Sequence, residues 1–223
     1  MVYITRRVAP TPRSPTDPGY EPDQRRVQVL FSDWTPPSAT AHEENVEVYS
    51  NCEEVELFLN GKSLGLKPLP RDASSRNWMV PFAPGSLKAV GRNAGHVVAS
   101  SELRTAANAA RIVLAVDSSR LTPNWDDVAY VTATVVDENG VPVPTANALI
   151  NFNVSGPGKV VAVDSGDNSS HESFQAAERR AFQGSCFAII RAIAPAGRII
   201  VVASSPGLAS ASVTITAARH VPR

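Results

Sequence analysis

The sequence has little of several things that would each announce a function. Only two of its 223 residues are cysteine, too few for the disulfide framework of a small secreted scaffold. Cys52 and Cys186 lie within apolar, strand-like stretches, where a free cysteine behaves as a small hydrophobe, so two buried thiols are expected. Charge of one sign is missing as well, because 21 basic side chains balance 21 acidic ones. Without a broad basic field to hold a phosphate backbone, nucleic acid is a poor partner. The longest apolar runs, such as residues 199–203, are strand-sized, against the ~20 residues that a bilayer-spanning helix needs, and no membrane insertion is expected. The first residues lack the basic start, apolar middle and small-residue cleavage site of a secretory signal. Localisation stays open on that basis, with a periplasmic or extracellular setting still compatible.

Reactive motifs are missing too. His42-Glu43 and His171-Glu172 are followed at the decisive spacing by Val46 and Gln175, so neither makes the two-histidine zinc arrangement. Asp164, Asp167 and Glu172 do not follow the one-three-five rhythm of a calcium loop. Ser155-Gly156-Pro157-Gly158 has no helix or lysine behind it and reads as a hairpin turn. No catalytic residue, metal or cofactor is assigned.

What the chain does have is period-two alternation of apolar residues broken by turn signals, the pattern of half-buried strands. Val46 and Val48, then Val55, Leu57 and Leu59, alternate with polar neighbours. Asn60-Gly61 follows with the positive φ preference of a two-residue hairpin. Further strands are expected at residues 78–82, 87–92, 97–100 and 103–105. After a stretch without bulky apolar residues at 105–110, a second series begins with Ile112, Leu114 and Val116 and continues at 128–136, 148–154, 160–163, 186–193, 199–203 and 209–216. Turn signals every 8 to 12 residues without long helical faces predict all-β architecture: two tandem immunoglobulin-like β-sandwiches. Only residues 173–182 suggest a helical turn. Residues 1–26, with five prolines, read as a disordered leader. The first sandwich is then expected over 27–107, the second over 108–218, and a tail over 219–223.

Two features could bind something. The segment 164–182 is too long and polar for a simple hairpin and offers Asp164, Asp167, His171, Glu172, Phe174, Arg179 and Arg180. Of the tryptophans, Trp78 reads as core, whereas Trp125, within Thr122-Pro123-Asn124-Trp125-Asp126-Asp127, and Trp34 are the candidates for stacking on a sugar ring.

The run from Val48 to Gly65, VYSNCEEVELFLNGKSLG, closely resembles the β-sandwich that follows the catalytic barrel in glycoside hydrolase family 2 enzymes of the β-galactosidase type. Residues 137–144, Val163-Asp164-Ser165-Gly166-Asp167, Ser170-His171-Glu172-Ser173-Phe174 and Arg180-Ala181-Phe182-Gln183-Gly184 resemble that family's last immunoglobulin-like domain. Residues 26–33 also look like a fragment of the barrel region. The resemblance implies a retaining glycosidase whose two glutamates project from a barrel. Neither glutamate has a counterpart here, and a barrel needs roughly 200 residues of alternating strands and helices. An inactive C-terminal accessory fragment is therefore expected, whose partners are the catalytic and N-terminal domains of its parent enzyme, with carbohydrate as a further candidate. In that setting segment 164–182 would face the barrel, with Arg179 or Arg180 pairing a carboxylate there. An independent carbohydrate-binding module and a cell-surface adhesion or spacer module are the alternatives that the architecture allows.

Overall fold

The computed structural model describes residues 1–8 and 29–219, and these form two compact units, Met1–Thr105 and Ala106–Arg223. No described residue is helical. The first unit contains β1 (Val2–Val8), β2 (Val29–Phe31), β3 (Glu43–Ser50), β4 (Glu54–Leu59), β5 (Lys62–Pro68), β6 (Arg76–Pro81), β7 (Ser86–Asn93) and β8 (His96–Arg104). They form two four-stranded sheets, ordered β2-β1-β3-β6 and β5-β4-β7-β8. The alternation sends Val46, Val48, Val55, Leu57, Val80, Leu87 and Ala89 to the layer between them, where Trp34, Trp78 and Phe82 complete the core. Asn60 and Gly61 close the β4–β5 hairpin at φ values of 49° and 81°, the left-handed pair that matches strand twist. The strands expected at 97–100 and 103–105 run together as the single strand β8, which ends at Arg104.

The proline-rich leader requires a correction. Its first residues form β1, paired with β2 and β3, and Ile4 is fully buried in the core. Ile4 and the alternating residues around it find a sheet to complete, and that burial outweighs the loose composition of residues 9–26. The five prolines, residues 10–22, lie outside the described residues. Val29–Phe31, within the stretch resembling a barrel fragment, is an edge strand of the same sandwich sheet.

The second unit contains β9 (Arg111–Val116), β10 (Arg120–Leu121), β11 (Val128–Val136), β12 (Leu149–Ser155), β13 (Gly158–Asp164), β14 (Glu178–Arg180), β15 (Ser185–Ala192), β16 (Gly197–Ser205) and β17 (Leu208–Ala217). One layer runs β13-β15-β11-β9, the other β17-β16-β12-β14 with β10 beside β17, and a parallel Ala209–Arg111 pair joins them. Each strand turns alternate residues inward: Ala129, Val131, Ala133 and Val135 from β11 meet Ile199, Val201 and Ala203 from β16 across the sandwich.

The Ser155–Gly158 turn is not a hairpin. β12 pairs with β14 and β16, and β13 pairs with β15, so the turn carries the chain from one layer to the other. Gly156 sits at φ 85°, and a Cβ there would lie 2.0 Å from the Arg198 carbonyl oxygen, which only glycine avoids.

Candidate functional site

The long polar segment exists because β13 ends in one layer and β14 begins at the edge of the other. No helical turn forms; the chain makes a series of bends and then the three-residue strand β14. Within β14, Glu178 and Arg180 face out while Arg179 faces in and is 0% exposed. A buried cation is tolerated only when its donors are matched, and the loop wraps around this one to match them. Arg179 Nε donates to Ser165 Oγ at 3.3 Å, Nη1 to the Glu172 carbonyl at 3.0 Å and Nη2 to Asp164 Oδ1 at 3.3 Å. Glu172 Oε2 lies 3.7 Å from Nε, and the guanidinium carbon is 5.1 Å from the Phe174 ring centroid. Arg179 thus ties both ends of the loop together, which corrects the expectation that it reaches outward to pair with an external carboxylate.

Carboxylates pin the rest of the loop to its own backbone. Asp164 Oδ1 accepts from the amides of Ser165 and Gly166, and Glu172 Oε2 from that of Arg180. Asp167 Oδ1 accepts from both the hydroxyl and the amide of Ser169, bonds that hold its carboxyl below the usual aspartate range. Of the candidate residues, His171, Phe174 and Arg180 face solvent. His171 makes no hydrogen bond or ion pair among the described residues, and Arg180 keeps a long 3.9 Å pairing to Glu172. A cleft of about 330 Å³ opens beside them, lined by Asn147, Ser165, Asp167, Ser170, Glu172, Arg180, Ala181 and Phe182. Among the described residues no group of three His, Cys, Asp or Glu side chains converges to hold a metal. Cys186 is no nucleophile, because burial pushes its thiol up to about 12 and the reactive thiolate is suppressed. The arrangement is a rigid hydrogen-bonding surface. Sequence reasoning found its residues but missed the inward role of Arg179, since a three-residue edge strand leaves no periodic signal.

The tryptophans separate cleanly. Trp34 is 0% exposed, packs 5.3 Å from Phe82 between ring centroids and donates Nε1 to the Ala83 carbonyl at 3.0 Å. No face of it is open to a sugar, which removes it as a stacking residue; an apolar ring beside a strand edge is drawn into the core by its large apolar area. Trp78 is 5% exposed and Trp125 81%. The turn bearing Trp125 is held by Asp127 Oδ2, which accepts from the Thr122 amide at 2.7 Å and hydroxyl at 2.6 Å.

Comparison with known proteins accords with this architecture. Residues 112–214 match the family described as glycoside hydrolase family 2 C-terminal domain 5, and residues 42–99 match a domain of unknown function. Over 169 residues the chain is 41% identical to β-galactosidase BoGH2A of Bacteroides ovatus, a match covering 76% of this chain and 20% of that protein. A putative β-glucuronidase of Formosa agariphila is 30% identical over 152 residues, 66% of this chain and 15% of the relative. The crystal structure of a glycosyl hydrolase family 2 member from Bacteroides cellulosilyticus superposes with a TM-score of 0.83 at 34% identity, covering 96% of this chain and 28% of that one. The chain spans a fifth or less of the length of these curated relatives. A family model over most of the second unit, relatives aligned across both units and a shared fold lead to one assignment: the two sandwiches are C-terminal domains of the glycoside hydrolase family 2 type.

Proposed function

We propose that the chain is a non-catalytic accessory portion of a family 2 β-glycosidase, and that the loop at 164–182 meets the catalytic barrel of its parent. The observation that carries this reading is the Arg179 clamp. A loop of this length would ordinarily be mobile, yet here a fully buried guanidinium and three carboxylates hold it in one shape while His171, Phe174 and Arg180 are kept outward. Such ordering suits a surface that must fit another, because groups held rigid beforehand lose less entropy on docking. The relatives' names, β-galactosidase and β-glucuronidase, set the substrate class no more finely than a β-linked glycoside.

The test replaces the corresponding C-terminal segment of the Bacteroides cellulosilyticus enzyme with this chain, then introduces His171→Ala, Glu172→Ala and Arg180→Ala together. The hybrid should hydrolyse a chromogenic β-glycoside, and the triple variant should lose at least about tenfold in kcat/KM. The isolated chain should release no sugar. Unchanged turnover in the triple variant, or hydrolysis by the chain alone, would overturn the proposal.

A further inference from the structure

The second unit has two ends, and strand register assigns each turn to one of them. The loop at 164–182 lies with Arg111, Val136 and Ser185 at the end where the unit begins. Trp125 lies at the opposite end, with Val116, Val128, Ala192, Gly158 and Gly197. Among the described residues, Arg219 follows β17 at that far end, and four more cations lie there in two pairs, one on each layer. On the outer face of one layer, Arg198 and Arg120 flank Thr216 from its two neighbouring strands. On the outer face of the other layer, Lys159 stands beside Arg191, which in turn faces Val128. The turn carrying Trp125 runs from β10 in the first layer to β11 in the second and so joins the two rows.

None of these four cations has an ion pair or a side-chain hydrogen bond among the described residues. Three carboxylates share this end. Asp127 is turned onto Thr122 and Asp117 onto the Tyr130 amide, leaving Asp126 exposed beside Trp125. A chain with no net charge thus places unpaired cations on both layers at the end where its most exposed tryptophan stands, on a turn that Asp127 holds by hydrogen bonds.

We infer that this end of the second unit binds an anionic polysaccharide, with Trp125 stacking on a sugar ring and Arg120, Arg198, Lys159 and Arg191 meeting carboxylate or sulfate groups along the polymer. The flat indole matches the apolar face of a pyranose, and its turn offers Asn124 and Asp126 to neighbouring hydroxyls. Guanidinium groups meet carboxylate and sulfate oxygens in pairs. Nucleic acid fits less well, since binding a phosphate backbone draws on a wider basic field than two short rows provide. The inference is independent of how the 164–182 loop is used, which involves the other end of the unit.

Tryptophan fluorescence tests it directly, because Trp34 and Trp78 are buried and acrylamide quenching reports chiefly on Trp125. Polygalacturonate and a sulfated galactan are titrated separately into the intact chain to distinguish carboxylate from sulfate, beside neutral galactan and duplex DNA. Protection of Trp125 by either anionic polysaccharide, weakened by added salt and absent with neutral galactan, is the expected result. In affinity electrophoresis, Trp125→Ala should weaken retention by about tenfold, and Arg120→Gln with Arg198→Gln by several-fold, with thermal unfolding unchanged. The inference is overturned by no protection from either anionic polymer, by equal protection from neutral galactan or duplex DNA, or by full retention of Trp125→Ala.

Discussion

The first unit packs three aromatic rings, Trp34, Trp78 and Phe82, into a core of twelve buried residues, whereas the second builds a core of nineteen with seven alanines and one ring, Phe152. Their polar interiors differ in the same sense. The first unit buries Arg6, Glu44, Glu47 and Arg76, the second only Asp137 and Arg179 among the described residues. In the first unit the charges form chains: Asp33 Oδ1 accepts from Arg6 Nε and Nη2, Arg6 Nη1 donates to Glu44 Oε1 at 3.1 Å, and His42 Nε2 donates to the same oxygen at 2.8 Å. Arg76 is buried against carbonyls alone, those of Lys67, Pro68, Ser50, Cys52 and Glu53, and loss of water lowers its pKa. In the second unit Asp137 instead receives the amides of Ala107, Asn139 and Val141. Apolar stabilisation scales with buried area. The first core thus reaches its burial with a few large rings, and the second with many small side chains spread over more positions.

Each unit contains one buried thiol, Cys52 or Cys186, so thiol labelling during urea unfolding reads the two separately. Leu57→Ala, at a fully buried site in the first core, should cost about 3 kcal/mol and bring Cys52 labelling to lower urea while Cys186 stays in place. Joint movement of both thiols would mean that the units unfold together. Arg179→Ala should destabilise the second unit by a smaller amount, about 2 kcal/mol, because it removes the donors that bind Ser165, the Glu172 carbonyl and Asp164; this time Cys186 alone should shift.

Two smaller effects depend on pH. The Ala107 amide, followed by those of Val141, Asn139 and Gly140, holds the Asp137 carboxyl below the ordinary aspartate range. Its contribution is therefore present above that range and lost as pH falls through the lowered value. Asp137→Asn should weaken the second unit at neutral pH, and the gap to the parent chain should close in strong acid. His42 behaves in the opposite direction. Its two nitrogens face the Thr40 carbonyl at 2.6 Å and Glu44, so the imidazolium is favoured and its pKa raised. That contribution is full below about 6.5 and is lost as pH rises through the raised value. Raising pH past neutrality should shift Cys52 labelling more than Cys186 labelling, and His42→Gln should abolish the difference. The smallest effect belongs to Trp125→Ala, which should change the melting of either unit by less than about 0.5 kcal/mol, since the side chain leaves no core behind.

Most strands were legible because one sheet face is buried and the other wet, so period-two alternation survives in the residues; 128–136 is read end to end as β11. Short edge strands were not legible. β10 and β14 span two and three residues, too few for a period, and β1 was hidden by the run of prolines after it. At the candidate loop the sequence marked out Asp164, Glu172 and Arg179 as a polar cluster, but not that Arg179 turns inward, a matter of which face a three-residue strand presents.

From its residues alone the chain declares an all-β pair of sandwiches, since alternation and turn chemistry act over a few positions and need no distant partner; the resemblance to family 2 glycoside hydrolases rests separately on particular stretches such as Val48 to Gly65. Tertiary structure decided the rest: that the Ser155–Gly158 turn crosses between layers, that Trp34 is sealed in a core while Trp125 stands free, and that Arg120 and Arg198 on one layer lie at the same end of the unit as Lys159 and Arg191 on the other. Those outcomes depend on which strands become neighbours, and neighbours far apart in the chain are chosen by the burial of the whole core.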